Sequence, residues 1–178
     1  MALDVGMPRP TRDYASTGVW QRVVRRTAAT RPMTWLYIRI QRPVDEAVHR
    51  MSRGRTTLSS WVSGLPVVML TTTGARSGQL RTVPLVGMPD GDRIIVIASN
   101  YGQAHYPAWY HNLRRNPRAV VSVRGVTRDV MSRELAGPER EATFQRAVGL
   151  YPGFRVYTDR AAHRRIPVVA LEPYETMV

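Results

Sequence analysis

The sequence predicts an α+β fold built on a small closed barrel of mostly antiparallel strands. Two observations carry this. From about Leu65 onward, short apolar and β-branched runs alternate with turn residues in hairpin-like succession. Helical stretches are inserted among these runs, without the regular strand–helix alternation of a parallel βαβ sheet.

The elements follow in order. Residues 1–15, rich in Pro, Arg and Gly, read as a flexible arm. Residues 16–64 read as a helical region. Val19, Trp20, Val23 and Val24 recur at helical spacing behind a Ser16 or Thr17 cap, and Trp35 to Met51 form a second stretch. Residues 65–178 read as the β-rich domain. Val67–Thr72 is a continuous apolar run, as expected of a buried strand, and Leu80–Met88 is a second strand. Pro89-Asp90-Gly91-Asp92 supplies a hairpin turn into a third strand, Arg93–Ser99. Pro107 opens a helix over Ala108–Arg115, which Asn116-Pro117 ends. Ala119–Val123 and Val126–Glu134 form a hairpin around Arg124-Gly125. A helix runs from Gly137 to about Leu150, another over Arg155–Ala162, and Ile166–Leu171 is a last strand.

Composition excludes several chemistries. The chain of 178 residues has no Cys and no Lys, so all 26 basic residues are Arg. That removes disulfides, thiolate metal sites, cysteine nucleophiles, phosphate-loop lysines and Schiff-base lysines. No two of the four His have the i, i+4 spacing of a helical zinc site, so no metal is expected. No Gly-x-Ser-x-Gly elbow and no strand-linked G-x-G-x-x-G occur. The net charge of +13 is scattered along the chain and comes with no nucleic-acid-binding motif, so nucleic acid is not an expected partner. The N-terminal segment has no apolar core behind a basic start, so it does not read as a secretory signal, and the absence of cysteine fits a cytoplasmic protein. Its basic amphipathic stretches can lie on an anionic membrane surface, although a helix pair with a solvated basic face is the preferred reading.

Three constellations could carry chemistry. The loop Thr71–Arg81 combines Gly74 and Gly78, hydroxyls from Thr73 and Ser77, and the forked donors of Arg76 and Arg81. Such a loop suits a phosphate or carboxylate, and equally an ordinary polar turn. Pro107 to Leu113 is an aromatic helix start, read as packing. Tyr151, Phe154 and Tyr157 are spaced three apart and share one helical face. They read either as an aromatic wall for a flat substrate or as a helix pinned to the core.

Four segments together resemble a known family: LTTTGARSGQLRTVPL, DGDRIIVIASN, PAWYHNLRRNP and YPGFRVYTDRAAHRRIPVVALEP. They are similar, in matching order over about residues 65–173, to the deazaflavin-dependent nitroreductases, actinobacterial enzymes with a split β-barrel related to FMN-binding barrels. The resemblance implies a reductase that uses coenzyme F420, an 8-hydroxy-5-deazaflavin with a phosphodiester and a glutamate tail. By match, Thr73, Gly74, Arg76, Ser77, Gly78 and Arg81 grip the anionic end. Pro84, Ala98, Ser99 and Asn100 lie by the deazaflavin ring. Tyr151 and Tyr157 take the catalytic positions, with Phe154 and Tyr101 on the substrate side. Many relatives carry Ala-Ser-Lys-Gly-Gly where this chain has Ala98-Ser99-Asn100-Tyr101-Gly102, and Phe154 lacks a hydroxyl. The implied reaction is hydride transfer to a small electron-poor acceptor such as a quinone, activated enone or nitroaromatic. The alternative is a non-catalytic barrel that binds a lipid or the deazaflavin. Oligomeric state is left open.

Overall fold

A computed structural model describes residues 65–123 and 125–174. The expected arm and N-terminal helical region lie outside the described residues.

Six strands close into a barrel: β1 (Val67–Thr73), β2 (Leu80–Asp90), β3 (Arg93–Ile97), β4 (Arg118–Val123), β5 (Val126–Glu134) and β6 (Val168–Pro173). Their order around the barrel is β1-β2-β3-β6-β5-β4, and every pairing is antiparallel. The predicted barrel of antiparallel strands is therefore the observed one. Two long strands split it. β2 pairs with β1 through Val86 and with β3 from Gly87 onward. β5 pairs with β4 up to Met131 and with β6 from Val130. The change of partner in β2 requires Gly87, because a Cβ there would stand 2.5 Å from Val68 Cγ1 and 3.0 Å from Ile94 Cγ2.

Three helices complete the described fold: α1 (Ala108–Arg115), α2 (Gly137–Leu150) and α3 (Gly153–Arg160). The Ile94–Ile97 run lacks polar alternation because both faces of β3 are covered. Ile94 and Val96 turn into the barrel, where Val68, Leu70, Val121, Val169 and Leu171 fill the interior and Trp109, Tyr110 and Leu113 of α1 cap it. Ile95 and Ile97 turn outward beneath α2 and α3, against Phe144, Ala147, Tyr151, Phe154 and Tyr157.

Some boundaries differ from the sequence reading. β2 runs through Pro89-Asp90, so the turn is confined to Gly91-Asp92. β1 has stopped pairing at that level, so among the described strands that edge of β2 has no partner, and Pro is tolerated at such an edge. The third strand ends at Ile97 rather than Ser99, since the chain then enters a left-handed turn. The helix expected over Arg155–Ala162 starts earlier, at Gly153, just behind Pro152. The last strand is shifted to Val168–Pro173.

At the barrel end opposite the Thr73–Gly78 loop, Arg93 bridges Asp90 and Glu139, and Arg133 bridges Glu139 and Glu172. Arg146 of α2 adds a bond to Asp90, so the β2–β3 hairpin is tied to α2 and β6.

On α1, the Tyr110 hydroxyl donates to Glu134 Oε2 at 2.7 Å. Burial, then that carboxylate, pushes the Tyr110 pKa up from 10.0 to about 12. A raised folded-state pKa gives stability that is intact below the unfolded value and disappears as pH rises through the folded one. Tyr110 thus contributes an alkaline loss of stability between pH 10 and about 12. Urea unfolding as a function of pH should show this fall shallower in Tyr110→Phe than in the parent chain. Superimposable alkaline limbs would contradict it.

Candidate functional site

The loop between β1 and β2 is held by its own backbone and by α1. Gly74 N–H donates to Gln79 O at 2.8 Å, and Gly78 N–H donates to Gly74 O at 2.8 Å. Gln79 N–H reaches Ser77 Oγ at 3.3 Å. The fourth tie comes from Asn112 of α1, which is buried. Its Oδ1 accepts from Ala75 N–H at 2.9 Å, while its Nδ2 donates to Thr72 Oγ1 at 2.9 Å. Four amides of the loop are thereby committed to the protein itself, and those of Arg76 and Ser77 are not among them. An anion at this loop would therefore meet side-chain donors and few of its amides.

Beside the loop lies a cleft of about 390 Å³, lined by Thr73, Gly74, Ala75, Gly78, Arg115 and Asn116. Arg76, Ser77 and Arg81 are exposed beside it. Arg81 Nη2 donates to Gln79 Oε1 at 3.1 Å, a neutral partner that leaves the guanidinium's charge uncompensated by that bond. The structure thus brings Thr73, Gly74 and Gly78 to one cleft, and adds Arg115 and Asn116, which the sequence reading did not single out. Asn112, Arg115 and Asn116 stand at i, i+3 and i+4, one face of a helix. A polar stripe on that face of PAWYHNLRRNP was the available signal.

Pro84 lies halfway along β2, opposite Met69, at a level that β3 pairing does not reach. Ala98 and Ser99 are buried at the end of β3. Asn100, Tyr101 and Gly102 then take φ angles of 46°, 57° and 78°. Gly102 N–H bonds Ser99 O and Gln103 N–H bonds Asn100 O, closing a single left-handed turn. For an L-residue this conformation costs about 1–2 kcal/mol. Asn100 offsets part of it through Nδ2, which donates to His105 O at 3.0 Å. Gly102 has no substitute: a Cβ would stand 2.6 Å from Arg160 Cβ and 3.0 Å from Tyr157 O.

Tyr151, Phe154 and Tyr157 are all buried in the cluster under α2 and α3. The two hydroxyls lie 3.0 Å apart. Burial pushes the Tyr151 pKa up, so its hydroxyl stays protonated at neutral pH. Tyr101 meets Tyr157 edge-to-face with ring centroids 5.9 Å apart. The turn after β3 and the aromatic helix α3 are therefore one packed unit. The Thr73–Gly78 cleft is formed by separate elements, the end of β1, the loop after it and the end of α1. Arg164 also enters this unit, and no pattern in the sequence marks it. Its guanidinium donates to Ser99 O at 2.7 Å and Gln103 O at 2.9 Å, and burial lowers its pKa.

Residues 42–173 match a protein family described as F420H(2)-dependent quinone reductase. An F420H(2)-dependent quinone reductase of Mycobacterium tuberculosis strain H37Rv is 38% identical over 81 residues, which are 45% of this chain and 53% of that protein. The chain spans about half the length of the curated relatives it first matches. A solved structure described as an F420-H2 dependent reductase, FDR-A, is 38% identical with a TM-score of 0.56, covering 60% of this chain and 94% of that one. A second, described as a domain-swapped dimer, is 34% identical with a TM-score of 0.58, covering 79% of this chain and 99% of that one. A split barrel with a basic loop, and a family match spanning the whole of it, lead to one conclusion: the chain belongs to the F420H(2)-dependent quinone reductase family.

Proposed function

We propose that the protein is an F420-dependent reductase acting on an electron-poor acceptor, with a quinone as the leading class and enones and nitroaromatics as further acceptors. The observation that carries this is the cleft where Thr73, Gly74 and Gly78 face Arg115, with Arg76 and Arg81 exposed beside it. Guanidinium and hydroxyl donors suit the phosphodiester and carboxylates of the coenzyme tail. When bound, the reduced deazaflavin supplies a hydride, and a quinone that accepts it needs one further proton to become a hydroquinone.

The chain's own groups have distinct roles in this reading. Arg76, Arg81 and Arg115 hold the anionic end, while Thr73 and Ser77 add hydroxyl donors. Pro84, Ala98, Ser99 and Asn100 shape the backbone beside the ring. Tyr101 and Phe154 line the acceptor side. Tyr151 and Tyr157 share hydroxyl contact, so a proton leaving one can be replaced from the other. Cytoplasmic placement goes with this reading, since a reduced cofactor must be regenerated nearby.

A second reading draws on the burial of the Tyr151–Tyr157 pair: a barrel that binds the deazaflavin or a lipid without turnover. Steady-state oxidation of reduced F420 with menadione separates the two. The reductase reading expects protein-dependent oxidation that requires the acceptor. Tight F420 binding with no oxidation across quinone, enone and nitroaromatic acceptors would refute it in favour of the binding protein.

A further inference from the structure

We propose that Arg164 is a positioning residue that holds the left-handed Ser99–Gln103 turn, and with it the backbone beside the cofactor ring, in working shape. The location of the ring rests on the function proposed above; the clamp itself rests on geometry. Nη2 of Arg164 donates to Ser99 O at 2.7 Å, Nε donates to Gln103 O at 2.9 Å, and Nη1 lies 3.5 Å from Ala98 O. One planar fork thus spans the turn from its first residue to its last. The guanidinium also lies over the Tyr106 ring, 4.7 Å from the centroid, which fixes its plane.

The turn needs such a holder. Asn100 and Tyr101 both occupy the left-handed region, and strained conformations persist only where the surroundings over-determine them. Arg164 is itself anchored, since its N–H donates to Ala161 O at 2.8 Å, just past the end of α3. Gly102 packs against Arg160 of the same helix. The clamp therefore couples the turn to the helix that carries Tyr157. Without it, the turn can relax toward the right-handed conformations an L-residue prefers, and Tyr101 moves relative to Tyr157. A Lys carries its donors on one nitrogen rather than on a planar fork and cannot span the turn from Ser99 O to Gln103 O in the same way.

The test combines Arg164→Met and Arg164→Lys with Tyr101→Gly, because Gly adopts the left-handed turn without strain. Urea unfolding midpoints are measured without cofactor, and kcat and KM for reduced F420 are measured with menadione. Arg164→Met is expected to lower the midpoint. It should cut kcat about tenfold or more while changing KM less than about threefold, since the tail is gripped elsewhere. Arg164→Lys should recover only part of kcat. In the Tyr101→Gly background, both the midpoint shift and the kcat loss should shrink to less than half. Equal losses in the two backgrounds, or no loss in either measurement, overturn the proposal. Absence of turnover in the parent chain would refute the cofactor reading instead, and the midpoint cycle would then decide the clamp alone.

Discussion

Replacing Asn112 by alanine is expected to lower stability by about 2–4 kcal/mol, because it leaves the Ala75 amide and the Thr72 hydroxyl unpaired at once. Thr72 is 1% exposed and Asn112 is 7% exposed, so water cannot readily take the missing role at the Thr72 end. The consequence reaches the cleft. Asn112 joins α1 to β1 and to the loop through two hydrogen bonds, and the end of α1 also supplies Arg115, with Asn116 just after it, to the cleft lining. Loss of the bracket should widen the cleft and weaken F420 binding beyond what the stability loss explains. Urea unfolding and a cofactor titration on the same variant check both parts. A stability change under about 0.5 kcal/mol, the size of an ordinary surface substitution, would contradict the bracket.

The second large effect falls on the loop arginines. Arg76→Ala and Arg81→Ala should each weaken F420 binding by about 1–3 kcal/mol, the range for hydrogen bonds to charged groups. Both side chains are exposed, so neither substitution should disturb the fold. Because the contacts are to an anion at the surface, the affinity should also fall as salt is raised. The double variant should lose most of the salt dependence. Isothermal titration at two ionic strengths checks this. Affinity unchanged in both single variants would remove the anchoring role from these residues.

The barrel was legible because each strand was bounded by turn chemistry and because the apolar runs matched their burial. Ile94–Ile97 shows this well: a run without alternation means two covered faces, and the structure covers both, with the barrel interior and with α2 and α3. Ala108–Arg115 was legible from Pro107 and Asn116-Pro117. The β2 boundary was not, because Pro89-Asp90 carries turn propensity while an edge left unpaired among the described strands tolerates it. In the site, the glycines and arginines of the loop stood out by composition. Asn112 did not, since its role depends on a contact 40 residues away in sequence, with Thr72. Arg164 is one Arg among 26, and only the folded chain sets it over three carbonyls. The left-handed turn at Asn100-Tyr101 was equally hidden, because neither residue demands that conformation.

In the proposed function, the cleft beside Thr73–Gly78 takes the anionic end of a deazaflavin. Titrating F420 with the protein, followed by the absorbance of the bound deazaflavin, tests it most directly. A saturable spectral change at micromolar protein, weakened in Arg76→Ala, Arg81→Ala and Arg115→Ala, is the predicted result. No spectral change at that concentration, or binding indifferent to all three arginines, would contradict it.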